Sequence, residues 1–236
     1  MTTTISRSET LVSREVLVIV GPSAVGKTSV MDHLSNLRPE LGFPQNFTTR
    51  AHRPGEPLDL YEHLADEELG RIPSDEIAQS VVHPDGNVYG SRKAAYTAPI
   101  SVVDAMTSSI DGFYAAGFES VRVVGLIASA GAWMERVGKR IADMPQSRAE
   151  ARLLEGITCF EWLTQATEVP VIVNDASSNR VAALELIDTV LDTPGKILPR
   201  GDGIDRILSE NIEAAHIALD GLRGLSRTKY SLGHTR

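Results

Sequence analysis

Residues 21–28 read GPSAVGKT, a complete G-x-x-x-x-G-K-T loop, and this stretch decides the fold. Gly21 and Gly26 allow backbone N–H groups to curl around phosphate oxygens, a path that a Cβ atom would obstruct. Lys27 carries a positive charge that can reach the β and γ phosphates of a nucleotide, and Thr28 offers a hydroxyl group to Mg²⁺. The loop therefore predicts a site for nucleotide phosphates.

The segments on either side of the loop have the pattern that this motif requires. Residues 15–20, EVLVIV, form a short apolar run typical of a buried parallel strand. Val30, Met31, Leu34 and Leu37 recur at helical spacing, which predicts a phosphate at a helix N-terminus. The alternative is a chance glycine-rich turn, and the joint presence of strand, loop, lysine, hydroxyl group and helix disfavours it.

Composition and charge bound the class of protein. The chain has 236 residues, of which 42% are hydrophobic and 23% charged, as expected for one α/β domain with a smaller insertion. A net charge of −8 argues against general binding to nucleic acid or a membrane surface, although local arginines can still bind phosphate. Cys159 is the single cysteine, which excludes an intramolecular disulfide and fits a reducing compartment. With a polar N-terminus and no long apolar run, we expect a cytoplasmic protein.

Strand-like and helix-like segments alternate along the chain, which predicts a doubly wound parallel sheet of the α/β class. Further core strands are predicted over residues 99–103, 121–127 and 169–173, with helical segments between and after them. Ligands of such sheets gather at the carboxyl ends of the strands, where the loop, Asp104 and Asn174 fall.

These segments predict a division of the chain into parts. We expect a core of residues 14–42 and 99–194, because the strand and helix patterns lie there. Prolines, glycines and short strand-like pieces over about residues 43–98 predict an inserted subdomain. A helical lid is expected over about residues 138–152.

The two ends of the chain have different patterns. Residues 1–13 are predicted to be a disordered lead-in, and residues 195–236 a helical tail with one apolar stripe. Packing of this stripe on the same domain is favoured over a subunit interface. The sequence does not indicate the oligomeric state.

Residues 48–56, TTRAHRPGE, followed by Tyr61 and Tyr89, predict a second anion site. Arg50 and Arg53 stand three residues apart beside a Pro-Gly turn, and can grip one phosphate through several charge-assisted hydrogen bonds. The tyrosines add hydroxyl donors without adding charge. Together with the loop, these residues occur in the order that an enzyme binding two phosphates needs.

Both motifs resemble those of guanylate kinases, and the resemblance extends in order over about residues 15–192. It implies a P-loop NTPase fold with a core, a substrate-binding insert and a helical lid. The implied activity is ATP-dependent phosphoryl transfer, with Mg²⁺, to GMP or dGMP, which yields the nucleoside diphosphate and ADP. Small nucleotides, rather than nucleic acid or a membrane, would be the partners.

The resemblance also implies roles for particular residues. The implied ATP-binding residues are Gly21, Ser23, Ala24, Val25, Gly26, Lys27, Thr28, Ser29 and Asn174. The implied catalytic residues are Lys27, Arg136, Arg140 and Arg152, with Arg148 competing for the place of Arg152. The implied substrate-binding residues are Asn46, Arg50, Arg53, Glu56, Tyr61, Gln79, Tyr89, Ser91 and Asp104. Thr28 and Asp104 would lie on the Mg²⁺ side of the site.

Three positions depart from the family's pattern. Gln79 stands where a guanine-reading glutamate is expected, and Asn46 stands where a serine is expected; Ala24 replaces a common glycine of the loop. An amide offers one acceptor and one donor, so Gln79 cannot accept both guanine protons as a carboxylate does. The loss of a charged hydrogen bond costs about 1.5–3 kcal/mol. Glu76 is an alternative reader of the base.

The departures leave two further hypotheses open. The first is a related kinase that acts on a modified nucleotide, another base or a phosphorylated sugar. The second is a guanylate-kinase-like module that binds proteins without catalysis. Lys27 and Thr28 are intact, and such modules usually have a degraded loop, so the sequence disfavours the second.

Overall fold

The structure is a computed structural model that describes residues 15–53, 55–58, 60–175, 179–193, 200 and 202–232, without the side chains of 202 and 225–232. The predicted lead-in, residues 1–13, lies outside the described residues. The chain divides into two compact units. The first consists of Met1–Val18 and Ser35–Arg122, and the second of Ile19–Leu34 and Val123–Arg236. This division differs from the predicted core, insert and lid, whose boundaries stay predictions.

Strands and helices alternate over most of the described chain. The strands are β1 (Glu15–Val20), β2 (Asn46–Thr48), β3 (Tyr61–His63), β4 (Ile77–Val82), β5 (Val88–Arg92), β6 (Ile100–Ala105), β7 (Ser120–Ile127) and β8 (Val171–Val173). The helices are α1 (Lys27–Leu37), α2 (Asp66–Leu69), α3 (Ile110–Ala115), α4 (Ala130–Ile141), α5 (Gln146–Gln165), α6 (Asn179–Leu186) and α7 (Asp202–Leu232). A π-helical turn, Ile187–Leu191, follows α6 directly and ends this helical segment.

The larger sheet has the strand order β6-β1-β7-β8. Val16 to Val20 of β1 are fully buried, which confirms the buried strand predicted from the apolar run. β7 and β8 are parallel, with Gly125 opposite Val171 and Ile127 opposite Val173. Strand order and direction agree with the predicted α/β fold.

The second sheet, of order β3-β2-β5-β4, is built from the short strands predicted for the insert. β5 is antiparallel to β2 and to β4, and the pairing with β4 is irregular between Ile77 and Gln79. Gly90 lies at a close approach, since a Cβ there would come within 2.3 Å of the Phe47 ring and 2.6 Å of Gln79 O. Only glycine therefore fits the centre of this sheet without displacing its neighbours.

The long C-terminal helix α7 packs against α5 and, to a smaller extent, against α4. Leu208, Ala215 and Leu219 of its apolar stripe are buried. Asn211, also buried, donates from Nδ2 to Ala128 O at 2.9 Å. This packing within the second unit is the arrangement that the sequence favours for the tail. Among the described helices, none has the length and apolar character needed to cross a membrane.

Candidate functional site

The two glycines of the loop lie close against their neighbours in the second unit. A Cβ on Gly21 would come within 2.3 Å of Leu126 O, and one on Gly26 within 2.6 Å of Asn174 Nδ2. Gly26 also has a φ of 97°, which favours glycine. Neither glycine can be replaced without moving the loop, so the two spaced glycines of the motif are required by this geometry.

Lys27 begins α1 and folds back over the loop. Its Nζ donates to Gly21 O at 2.6 Å and to Pro22 O at 3.3 Å. Thr28, on the first turn of the same helix, is exposed and Ser29 is half-buried. A positive charge and a hydroxyl group thus lie at a helix N-terminus, where backbone N–H groups and the helix dipole favour an anion.

Trp133 of α4 holds the loop through a hydrogen bond to its backbone. Its indole Nε1 donates to Ser23 O at 2.9 Å, and the side chain is fully buried. The ring meets Phe160 edge-to-face, with centroids 4.9 Å apart, and Gly156 leaves room for it on α5. The indole therefore fixes one loop carbonyl, which in turn fixes the direction of the following peptide N–H.

Asn174 and Arg136 hold a second loop carbonyl. Asn174 Nδ2 donates to Val25 O at 2.7 Å and to Asn179 Oδ1 at 2.8 Å. Arg136 Nη1 donates to Asn174 O at 2.9 Å and, more weakly, to Val25 O at 3.4 Å. Asn174 is fully buried beneath the loop, so its observed contact is with the loop backbone. Its contact with adenine and the catalytic role of Arg136 stay predictions.

Ala24 occupies a strained position in the loop. Its φ of 71° makes it the one residue other than glycine with a positive φ in the described part of the chain. The left-handed region costs an L-residue about 1–2 kcal/mol. The sequence marks this position because glycine is common there, and the backbone gives the physical reason.

The other implied catalytic arginines lie on α4 and α5. Residues 138–152, the predicted lid, comprise the end of α4, the start of α5 and a linker of residues 142–145. Arg140 and Arg148 are exposed. Arg152 is buried and forms an ion pair with Glu155 at 3.5 Å. Arg148, which is exposed, and Arg152, which is buried, are thus alternatives for one catalytic role, and this role stays a prediction for each.

Arg50, in the first unit, is held in one plane by Glu56. Its two terminal nitrogens donate to the two carboxylate oxygens, with Nη1 to Oε2 at 2.9 Å and Nη2 to Oε1. The guanidinium lies 4.9 Å over the Tyr61 ring, and its side chain is 6% exposed. Arg50 Nε is buried and has no hydrogen-bond partner among the described residues, so one charged donor remains for a ligand. The hydrogen bonds from Arg50 hold the pKa of Glu56 below its usual range.

The predicted phosphate-binding tyrosines lie side by side. The rings of Tyr61 and Tyr89 are 6.2 Å apart in an edge-on arrangement. The nearby Asp104 carboxylate, together with burial, raises the pKa of Tyr61. Its hydroxyl is therefore protonated at neutral pH and can donate. Arg53, half-buried, adds a backbone N–H to Glu56 Oε2 at 3.4 Å.

Three polar side chains form a row across the second sheet. Asn46 and Gln79 lie opposite Ser91 from its two sides, which places all three on one face. Gln79 Nε2 donates to Ser91 Oγ at 3.4 Å, and Asn46 Nδ2 donates to Asp104 Oδ1 at 3.4 Å. The amide oxygens, Gln79 Oε1 and Asn46 Oδ1, are buried without hydrogen-bond partners in the described structure. Two acceptors in need of N–H donors are the chemistry of a site for a nucleobase edge.

The predicted site residues thus fall into two groups. The second unit holds the loop, Ser29, Arg136, Arg140, Arg152 and Asn174. The first unit holds Asn46, Arg50, Arg53, Glu56, Tyr61, Gln79, Tyr89, Ser91 and Asp104. Thr28 and Asp104, the predicted residues on the Mg²⁺ side, therefore belong to different units.

Sequence reasoning missed residues that support these groups from behind. Trp133 is one; a buried indole needs an acceptor for its N–H, but the sequence does not reveal which one. Tyr96 is another, fully buried, with its hydroxyl 2.7 Å from Ser91 Oγ. His63 is a third, with Nδ1 2.9 Å from Arg50 O. Trp133 and His63 have partners distant in sequence, which only the packing of helices and strands brings close. Tyr96 is near Ser91 in sequence, but neither residue type indicates the hydrogen bond between them.

The sequence is similar to bacterial guanylate kinases, although no protein-family model matches it. It is 37% identical to the guanylate kinase of Synechococcus sp. (strain JA-3-3Ab) over 78 residues, which are 32% of this chain and only 36% of that relative's length. With the guanylate kinase of Symbiobacterium thermophilum it shares 30% identity over 181 residues, 73% of this chain and 83% of the relative.

A solved structure agrees with the fold. The guanylate kinase of Anaplasma phagocytophilum has a TM-score of 0.54 at 21% identity, covering 85% of this chain and 95% of that one. At this identity the structural likeness shows the fold, and the Symbiobacterium relative shows the family. The chain therefore belongs to the guanylate kinase family.

Proposed function

We propose that the protein is a cytoplasmic nucleoside monophosphate kinase that transfers the γ phosphate of ATP to GMP or dGMP. The observation that carries this proposal is the arrangement of Arg50, which Glu56 fixes beside Tyr61 and whose Nε has no hydrogen-bond partner in the described part of the chain. A phosphate loop alone is compatible with many activities. A buried arginine held ready for a second phosphate narrows the activity to transfer between two phosphorylated molecules.

ATP would bind with its phosphates at the loop. The loop presents backbone N–H groups at the N-terminus of α1. Hydrogen bonds from Trp133 and Asn174, with a longer one from Arg136, hold its carbonyls in place. Lys27 Nζ, which donates to Gly21 O, would exchange this neutral acceptor for a phosphate oxygen. A charged acceptor forms the stronger hydrogen bond, so the exchange is favourable when nucleotide is present.

The acceptor's phosphate would bind to Arg50, Arg53, Tyr61 and Tyr89. Arg50 supplies a charged donor, and Tyr61 supplies a protonated hydroxyl. Glu56 accepts from the Arg50 guanidinium, which it orients, and from the backbone N–H of Arg53, which holds the chain at that residue. Such preorganised donors bind a dianion without losing much side-chain freedom.

Phosphoryl transfer requires that the two substrates be positioned and that the negative charge on the transferred group be neutralised. The acceptor's phosphate oxygen is already a nucleophile, so the protein need not supply a general base. Lys27 would neutralise negative charge on the transferred group, together with Arg136, Arg140 and Arg152 as the resemblance implies. The exposed hydroxyl of Thr28 and the carboxylate of Asp104 are oxygen ligands of the kind that Mg²⁺ prefers. Mg²⁺ bound with ATP would supply further positive charge against its phosphates.

The base would be read by the row of Asn46, Ser91 and Gln79. Guanine presents N–H donors at N1 and N2, and the row offers two buried amide oxygens without partners. The amide oxygens of two residues would then accept the two guanine N–H groups that a single carboxylate would otherwise accept. Neutral hydrogen bonds are weaker than charged ones, so we expect a KM for GMP higher than a carboxylate reader would give.

An ADP-release assay with ATP and Mg²⁺ tests the proposal over a panel of nucleoside monophosphates and sugar phosphates. We expect GMP and dGMP to give the fastest release and Lys27→Ala to give almost none. Faster release with another base or a sugar phosphate would replace the acceptor in the proposal. If no acceptor on the panel gives ADP release, and the protein binds a protein partner tightly, a binding module would be favoured instead.

A further inference from the structure

We propose that His52, Glu56 and His63 form a binding site for a divalent transition metal of the Zn²⁺ type. One ligand atom from each of the three residues lies within 4.8 Å of the others. All three residues belong to the first unit, where Glu56 also accepts from Arg50, and phosphoryl transfer in the proposed function does not require a metal there.

The two histidines face each other across a short gap. Their ring centroids are 5.2 Å apart at an interplanar angle of 68°. His63 Nε2 lies 3.7 Å from Glu56 Oε2. Ligand atoms around a tetrahedral Zn²⁺ ion are about 3.4 Å apart, given metal–ligand bonds of about 2.1 Å. His52 is exposed, so its side chain has room to rotate toward the other two ligands.

The hydrogen bond of His63 prepares its other nitrogen for a metal. Nδ1 lies 2.9 Å from Arg50 O, and a carbonyl oxygen can only accept, so Nδ1 carries the proton. In the neutral ring Nε2 then has a free lone pair. That atom is buried and has no hydrogen-bond partner among the described residues. A ring fixed by a backbone carbonyl on one nitrogen, with a lone pair on the other, is the usual state of a metal-ligating histidine.

Glu56 supplies the third ligand and sets the type of metal. Its carboxylate is oriented by both terminal nitrogens of Arg50, which also offset part of its charge. The reduced charge weakens attraction for hard ions such as Mg²⁺, which prefer several oxygens. Two imidazole nitrogens and one carboxylate instead suit Zn²⁺ or Co²⁺, with water as the fourth ligand.

A metal ion bound at this site would link the segment that carries His52 and Glu56 to β3. His52 and Glu56 flank Arg53, and His63 ends β3. A bound metal would therefore restrict the segment that carries the proposed phosphate-binding arginines. This effect on the acceptor side rests on the proposed function, whereas metal binding itself does not.

Calorimetric titration of ZnCl₂ into the full chain, with Mg²⁺ in excess and no nucleotide, tests the site. We expect one Zn²⁺ per chain, with affinity at least tenfold weaker in His52→Ala and in His63→Ala. His216→Ala, which removes an exposed histidine on α7, is the matched control and should leave the affinity unchanged. Because His52 is exposed, its variant tests the site even if the variant of His63 loses stability.

A Co²⁺ titration gives a second readout, since tetrahedral Co²⁺ absorbs strongly in the visible region. We expect this absorption in the native chain and its loss in His52→Ala. Absence of Zn²⁺ binding to the native chain, or equal affinity in His52→Ala and His216→Ala, would overturn the proposal. Neither result depends on kinase activity, so failure of the metal site and failure of the proposed function are separate outcomes.

Discussion

The loop and the arginine pair, Arg50 and Arg53, bind phosphate in the proposed function, but they are held in place by different means. The loop is fixed through its backbone, because Trp133 donates to one of its carbonyls and Asn174 to another, which also accepts a longer bond from Arg136. Arg50 is fixed through its side chain, because Glu56 accepts from both of its terminal nitrogens. Changes near the loop should therefore act indirectly through its shape, whereas changes at Arg50 should act directly on the ligand.

The difference also separates the expected kinetic effects. Loop variants should change the KM for ATP or the rate of transfer, and variants of the first unit should change the KM for GMP. Substitutions at Lys27, Arg50, Gln79 and Trp133 test this separation, and one at Ala24 tests the strain in the loop.

Lys27→Ala should lower kcat by about a thousandfold, since removal of one preorganised positive group costs about 10²–10³ in rate or more. Within the described structure, the Lys27 ammonium donates to the carbonyls of Gly21 and Pro22 in the loop itself, so the fold should persist. The measurement is ADP release at saturating ATP and GMP, with circular dichroism as a check on folding. Lys139→Ala, at an exposed position on α4, is the control. Full activity in Lys27→Ala would refute the enzyme proposal.

Arg50→Lys should lower kcat/KM for GMP by about a hundredfold while the KM for ATP changes little. Lysine keeps the charge but loses the planar fork that Glu56 holds, and a buried carboxylate is left poorly paired. Steady-state kinetics with each substrate varied in turn measure both effects. Arg92→Lys is the matched control, because Arg92 forms the same two-bond pair with Glu62 at a more exposed place. Equal losses in the two variants would show that the pair at Arg50 has no special role.

Gln79→Glu should raise kcat/KM for GMP by about tenfold, because a carboxylate can accept both guanine protons through charged hydrogen bonds. The substitution buries a carboxyl group at a position that is 6% exposed, so kinetics should be measured at mildly alkaline pH. IMP lacks the N2 amino group and serves as the control substrate, for which the gain should be smaller. A loss with GMP would mean that Gln79 does not read the base.

Trp133→Phe should raise the KM for ATP by about threefold to tenfold and lower the stability by about 1–2 kcal/mol. Phenylalanine keeps the ring in the core but leaves Ser23 O without the indole donor. The KM for GMP should stay near its original value. Trp162→Phe, at a half-buried position on α5, is the matched control for the change of residue type. An unchanged KM for ATP in Trp133→Phe would contradict the account of how the loop is held.

Ala24→Gly should raise stability by up to about 1 kcal/mol, the smallest effect of the five. Relief of the positive φ gains about 1–2 kcal/mol, and the greater freedom of glycine in the unfolded chain removes about 0.5–1 kcal/mol. Urea unfolding measures the difference. Ala132→Gly, within α4, should instead lower stability, since that backbone is helical. If both substitutions destabilise equally, the strain at Ala24 is absent.

The two regions also differ in how far the sequence predicts them. β1, the loop and α1 follow one another, so local patterns are sufficient for the strand, the helix and both glycines. Arg50 and Glu56 are close in sequence, and the motif indicates their pairing. The row of Asn46, Ser91 and Gln79 depends instead on pairing between β2, β5 and β4, which local patterns do not specify.

The support of the loop by Trp133 could not be predicted for the same reason. Ser23 and Trp133 are far apart in the chain, and only the packing of α4 brings the indole to a loop carbonyl. The tautomer of His63 likewise depends on a backbone carbonyl that strand pairing positions. Sequence motifs predict the residues that would bind a ligand. The residues that position these ligand-binding residues are found only from tertiary contacts.

Calorimetric titration of GMP alone into Lys27→Ala and Arg50→Lys tests the central claim most directly, namely that the loop and the arginine pair bind phosphates of different molecules. The account predicts that Lys27→Ala binds GMP with the affinity of the native chain. It also predicts that Arg50→Lys binds GMP at least tenfold more weakly. Loss of GMP affinity in Lys27→Ala, with native affinity in Arg50→Lys, would contradict the claim.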